Sequence, residues 1–242
     1  MPSEVVAIEK ELNRTERGAL HAFPFVRGRL GGRSVVVSVS GVGITAAAMT
    51  AALFIDRFRP AELVFTGSGA RLNPELRTGD VIVSERTSHH NAGSWTESGM
   101  VYRKVRNAVK GVMTPYEFRP DKRLLRIARE AMRDFPQNPI RVQGRTYEPI
   151  VRVGRVCSGD VFGITEKKVR DIRRKLRADL IEMEGSAAAQ VSWQLGVPHL
   201  VIRSGSNRPQ PDPGEDYRKL GQIAAHQAAR FTMHFVKRLA DS

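Results

Sequence analysis

Cysteine is almost absent from this chain: Cys157 is the only one in 242 residues. A single thiol excludes an internal disulfide and suits a reducing compartment, so a cytoplasmic location is expected. Long apolar runs are missing too, and none approaches the roughly 20 residues that span a bilayer. No basic start followed by an apolar stretch marks a secretory signal. No His/Cys cluster has metal-ligand spacing, and the pair His89-His90 is too little for a site. Aromatic residues make up only 7% of the chain. No RNP, zinc-finger or other nucleic-acid pattern accompanies them, so nucleic acid is not an expected partner.

Acidic residues are outnumbered. Thirty-nine Lys+Arg stand against 25 Asp+Glu, a net charge of +14. One basic cluster comprises Arg103, Lys104, Arg106 and Lys110, and another is EKKVRDIRRKLRADL, residues 166–180. In the second, Val169, Ile172 and Leu176 recur at helical spacing and leave the charges mostly outside. A solvated basic face is the simpler expectation. Attraction to an anion, such as a phosphorylated substrate or an acidic partner, is the sharper one.

What is present is a regular alternation of short β-rich runs with helical patterns. Strands are expected at 4–8, 34–40, 62–66, 80–84, 150–157, 179–183 and 199–204. Helices are expected at 44–58, 121–135, 185–195 and 216–240, with the basic helix between the strands at 150–157 and 179–183 and a long polar stretch from 84 to about 120. That order predicts an α/β fold, a three-layer αβα sandwich around a central mixed, largely parallel sheet. Length and the lack of a linker favour one domain over residues 1–242. In such folds ligands gather where strands end. Here those ends read SGVG (40–43), TGSGA (66–70), SGDVF (158–162), EMEG (182–185) and RSGSN (203–207). Each alone reads equally as a tight turn or a helix start, but five polar strand ends in one sheet point to a site.

Taken together, VVAIEKEL near the start, SGVG, FTGSGARLNPELRTGDVIVSE, CSGDVF and LIEMEGSAAAQVSWQLGVPHLVIRS resemble the nucleoside phosphorylase superfamily. Within it they are most similar to the methylthioadenosine/S-adenosylhomocysteine nucleosidases. The section from about 100 to 147 carries no such resemblance. The family implies that Glu184 receives the ribose hydroxyls, with Glu182 supporting the same region. It implies that Met183 packs on sugar and base, that Phe162 stacks on the base, and that Ser68 and Gly69 line the ribose loop. Arg203 and Ser206 lie in the strand end that reads the base, and Tyr217 falls near the aromatic over the 5′ substituent. Glu11 matches the glutamate that activates water. A carboxylate beneath the sugar suits the chemistry, because cleaving an N-glycosidic bond builds positive charge on the ribose.

The resemblance also implies a nucleoside substrate, no metal or organic cofactor, and a homodimer. Hydrolysis is favoured over phosphorolysis, because Phe65 stands where hexameric phosphorylases carry a phosphate-binding arginine. Arg71, unmatched in the family, keeps an anionic group in play. The main departure is Ser206-Asn207, where nucleosidases have Ser-Asp. An amide donates a hydrogen bond but delivers no proton, and general acid catalysis is typically worth about 10²–10⁴ in rate. Asn207 therefore leaves three readings open: another base, turnover of adenine nucleosides either slowly or with another acid such as Asp212, or binding without turnover.

Overall fold

A computed structural model describes residues 2–161, 164–210 and 214–240, and for 2–4 and 214–217 it describes the backbone alone. The chain opens with helix α1 (Pro2–Glu9), then strands β1 (Asn13–Leu20), β2 (Phe23–Leu30) and β3 (Arg33–Ser38). Helix α2 (Ile44–Phe58) leads to β4 (Leu63–Arg71) and β5 (Val81–His89). Short strands follow: β6 (Ser94–Thr96), β7 (Gly99–Val101), β8 (Val105–Arg106), β9 (Met113–Thr114) and β10 (Glu117–Phe118). Next come α3 (Lys122–Arg133), β11 (Ile140–Val142), β12 (Arg145–Tyr147), β13 (Val151–Ser158) and α4 (Glu166–Leu176). The chain closes with β14 (Leu180–Glu182), α5 (Gly185–Leu195), β15 (His199–Gly205) and α6 (Gly214–Ala240).

The central sheet has the order β10-β5-β13-β14-β4-β15, and β15 also pairs with β5, so the sheet closes on itself. β5 with β13, β13 with β14 and β4 with β15 are parallel, while the other pairings are antiparallel. Period-two alternation places its side chains. Leu200 and Ile202 of β15 face the cluster that holds Ile127 of α3 and Phe231 of α6. Val201, between them, faces Ala189 of α5. Helices therefore cover both faces of a mixed sheet, as an α/β sandwich requires. Burying a side chain the size of Phe231 or Phe235, both fully enclosed, stabilises the fold by about 2–3 kcal/mol each.

Helices α2 and α5 take the expected bounds. Pro60 and the left-handed Arg59 end the first, and left-handed Gly196 ends the second. Asp121 caps α3, its side chain accepting from the Leu124 amide at 3.0 Å. The strand expected at 4–8 is helix α1 instead. Four consecutive apolar residues carry no period, so tertiary packing decides between strand and helix; here Ile8 is buried and Val6 stays exposed. The β1–β2 hairpin was not expected, and β1–β2–β3 form a separate antiparallel sheet. The polar stretch from 84 to 120 holds the end of β5, two hairpins, β6–β7 and β8–β9, and the short β10.

The basic helix α4 lies between β13 and β14 and behaves as a solvated face. It buries Ile172 and Leu176, and pairs Arg170 with Glu166 and Arg174 with Asp171 on its exposed side. Exposed pairs of this kind are worth little, so they do not explain the helix; its apolar face does. No helix among the described residues is long and apolar enough to cross a membrane.

One feature of the strand layout shapes the site. β4 pairs with β15 from Leu63 to Gly69, but its other edge meets β14 only at Ala70 and Arg71. β3 pairs with β2 alone among the described strands. The remaining edges of β3 and β4 border a cavity of about 860 Å³.

Candidate functional site

That cavity has an apolar arm between β3 and β4, lined by Val35, Val37, Val64 and Val236, and a polar end lined by residues from five strand ends. The polar end holds Gly41, Ser68, Gly69, Glu184, Arg203 and Asn207. It is built around Glu182. The Glu182 carboxylate accepts from the Glu184 amide at 2.9 Å and from the Gly185 amide at 2.9 Å, so it caps α5. A carboxylate suits the positive end of a helix. Glu184 is the N-cap residue of α5, yet its own side chain does not cap it. Glu182 does that work, which frees the Glu184 carboxylate to turn into the cavity.

Arg203 completes the arrangement. It is 4% exposed and pairs with Glu182, with its Nη2 also 3.3 Å from Glu184 Oε2. Its guanidinium lies 5.0 Å from the Phe65 ring centroid, and Nη1 donates to the Ser68 carbonyl at 3.5 Å. Ser158 Oγ donates to Glu182 and accepts from the Ser186 amide at 2.7 Å. On the other side, the Gly43 amide donates to Glu184 Oε1 at 3.0 Å. Glu184 is thus held by one oxygen at the start of α2 and by the other at Arg203. Burial raises its carboxyl above the ordinary range; Arg203 opposes the shift and Glu182 adds to it.

Of the residues singled out in the sequence, Ser68, Gly69, Glu182, Met183, Glu184, Arg203 and Asn207 all line the cavity. Ser206 does not. It is fully buried behind the wall, its hydroxyl 3.0 Å from both the Gly69 carbonyl and Asn207 Oδ1, which share its single proton. Asn207 Nδ2 donates to the Arg208 carbonyl at 2.8 Å, so the amide is held in place. Glu11 is not brought to the polar end. It is half-exposed and pairs with Lys237 of α6 at 3.3 Å, while Val5 and Ile8 of α1 border the apolar arm. Phe162, Asp212 and the Tyr217 side chain lie outside the described residues.

Arg71 does not turn inward. Its Nε donates to the Ser206 carbonyl at 2.8 Å and its Nη1 to the Leu76 carbonyl at 2.9 Å. It braces the loop that carries Asn207 rather than waiting for an anion. Sequence reasoning missed Asp160 and His89. His89 is buried, with Nδ1 2.9 Å from Ser186 Oγ and Nε2 2.8 Å from Gln190 Oε1, so it ties β5 to α5. Burial lowers its pKa. The signal for Asp160 was its place in SGDVF, beside residues that were read.

A strand-end carboxylate locked between an arginine and a helix start, inside an α/β sheet, defines the class. The chain belongs to the phosphorylase superfamily, whose family model matches residues 1–237. Within that class its relatives are nucleosidases. It is 30% identical over 234 residues to the 5′-methylthioadenosine/S-adenosylhomocysteine nucleosidase of Geobacillus kaustophilus, covering 96% of this chain and 92% of that one. It is 28% identical over 243 residues to the enzyme of the same description from Tolumonas auensis, covering 99% and 96%. Among solved structures, the Neisseria meningitidis nucleosidase in complex with methylthio-immucillin-A superposes with a TM-score of 0.83. Its identity is 27%, covering 98% of this chain and 95% of that one.

Proposed function

We propose that this chain is an N-ribosyl hydrolase that cleaves the N-glycosidic bond of methylthioadenosine, S-adenosylhomocysteine or a close purine derivative. The observation that carries this reading is Glu184, a buried carboxylate with one oxygen at Gly43 and the other at Arg203. Its relatives along the whole chain are named for that activity. Glu184 would take the ribose hydroxyls and stabilise the positive charge that develops on the sugar. A carboxylate gripping two hydroxyls also rejects sugars that lack them, because an unpaired buried acceptor is costly. Met183 packs on the sugar, and Asn207 reads the base. Phe162 and Tyr217 keep the base and 5′ roles that the family resemblance assigns them.

Glu11 remains our proposed water-activating base. Reaching Glu184 requires residues 2–9 to leave α6 and enter the cavity arm, where the open edges of β3 and β4 would accept them as a strand. Water is favoured over phosphate because Arg203, which lines the polar end, and Arg71, which braces the loop behind it, are committed to protein partners. A second reading, nucleoside binding with little turnover, is supported by Asn207, whose amide delivers no proton to the base. We further infer a single cytoplasmic domain that pairs as a homodimer. Met49 of α2, Leu195 of α5 and Val105, Val109 and Met113 of the β8–β9 hairpin are exposed apolar side chains. Asn107 of that hairpin donates to Gln194 of α5 at 2.6 Å, which ties the hairpin to that helix.

The test is base release from a panel of methylthioadenosine, S-adenosylhomocysteine, adenosine, inosine and guanosine, with and without phosphate. Release that ignores phosphate supports the hydrolase, and dependence on phosphate makes it a phosphorylase. Ligand binding without release supports the second reading.

A further inference from the structure

We propose that Asp160 is a positioning residue: it holds the start of α2 so that the Gly43 amide stays on Glu184. This rests on the functional reading above and adds to it a residue that never touches substrate. α2 begins at Ile44 directly after SGVG, and its N-cap, Gly43, has no side chain with which to cap. The first amides of a helix have no partner within it, and an uncapped start frays. Here two carboxylates from neighbouring strand ends supply the missing acceptors. Glu184 Oε1 takes the Gly43 amide at 3.0 Å, and Asp160 Oδ1 takes the Ile44 amide at 2.7 Å. Successive amides of one turn therefore bridge the ends of β13 and β14.

The approach of the helix start to Asp160 is close. Gly43 sits at φ 95°, in the left-handed region, and a Cβ added there would lie 2.8 Å from Asp160 Oδ1. Only glycine lets the helix start approach the carboxylate so nearly. The turn that presents Asp160 is clamped from behind. The His90 amide donates to the Ser158 carbonyl at 2.8 Å, and the Gly159 amide donates to the Glu182 carbonyl at 3.1 Å. A Cβ on Gly159 would meet His90 Nε2 at 2.5 Å, so that ring backs the turn directly. Asp160 itself is exposed, so no core packing accounts for its position. Its geometry answers to the α2 start and, one amide earlier, to Glu184.

Removing the Asp160 acceptor frees the Ile44 amide, loosens the first turn of α2, and takes from Glu184 the donor that fixes one of its oxygens. The test compares Asp160→Ala with Asp160→Asn, which keeps an acceptor oxygen at the same place. Asp160→Ala lowers kcat/KM for base release by about ten-fold, the scale of one hydrogen bond, with a near-native melting temperature. Asp160→Asn restores most of it. Hydrogen exchange reads the same geometry without turnover: the Gly43 and Ile44 amides lose protection in Asp160→Ala and keep it in Asp160→Asn. Wild-type kcat/KM in Asp160→Ala, or equal damage in both variants, overturns the proposal. Should the wild type release no base, the functional reading fails on its own. Amide protection and the affinity for methylthioadenosine in the two variants then decide the positioning role by the same pattern.

Discussion

The two ends of the cavity are built on opposite plans. At the polar end, Glu182, Glu184, Arg203, Ser158 and the starts of α2 and α5 satisfy one another through short, specific contacts. In the apolar arm, Val35, Val37 and Val64 line open space between two strand edges. The polar end is fixed before any ligand arrives, which is what stabilising a developing charge demands, since the groups pay no reorganisation at the moment of reaction. The arm has room that neither side chains nor strands fill. A dense polar network and a loosely filled apolar slot respond differently to substitution, and that difference is measurable.

The largest effect is expected from Glu182→Ala. It leaves Arg203, 4% exposed, without its main counter-charge, and breaking a buried pair from one side costs about 3–5 kcal/mol. Urea denaturation should show that loss; a change under 1 kcal/mol would mean that the pair is not the keystone of the polar end. Next comes Asn207→Asp, which puts a group able to donate a proton where our reading places the base. It should raise adenine release from methylthioadenosine by about 10²-fold, at the low end for general acid catalysis. No gain would remove the amide as the reason for any slow turnover.

Packing gives a smaller contrast. Ala189→Val, on the fully buried face of α5, should cost about 1–3 kcal/mol by overpacking. Val64→Ile adds one methylene in the cavity arm and should cost well under that, because the added group has space. Equal costs would show the arm to be as tightly filled as the helix layer. The subtlest effect is on pH. Because Glu184 is raised by burial, activity that needs its ionised form should fall on acidification from a pH above the ordinary carboxylate range. The sign for stability is opposite: the folded state holds this proton more tightly than the unfolded chain, so its contribution is present at low pH and is lost as pH rises through the raised pKa.

The same comparison explains what the sequence disclosed. The polar end was largely legible, because Glu182, Met183, Glu184, Arg203 and Asn207 sit in short motifs at strand ends, where chemistry and position coincide. Ser206 was assigned to the pocket but turns to Gly69 and Asn207, and Arg71 braces a loop; neighbours in sequence give no direction to a side chain. The arm and its surroundings were hard to read. Val5, Val6, Ala7 and Ile8 fit strand and helix alike. β1 carries Arg14, Glu16 and Arg17 on an exposed sheet, so no apolar alternation marked it, and its turn to β2 uses His21 at φ 52° rather than glycine. Helices α2 and α5 were readable to the residue because their ends carry Pro60 and Gly196.

The most direct single measurement is adenine release from methylthioadenosine in phosphate-free buffer, wild type beside Glu184→Ala. The account predicts release by the wild type and a loss of about 10²–10³-fold in kcat for the variant, the usual cost of removing one preorganised charge-stabilising group. Turnover in Glu184→Ala at the wild-type rate would contradict it, because the carboxylate on which the polar end converges would then have no part in the reaction.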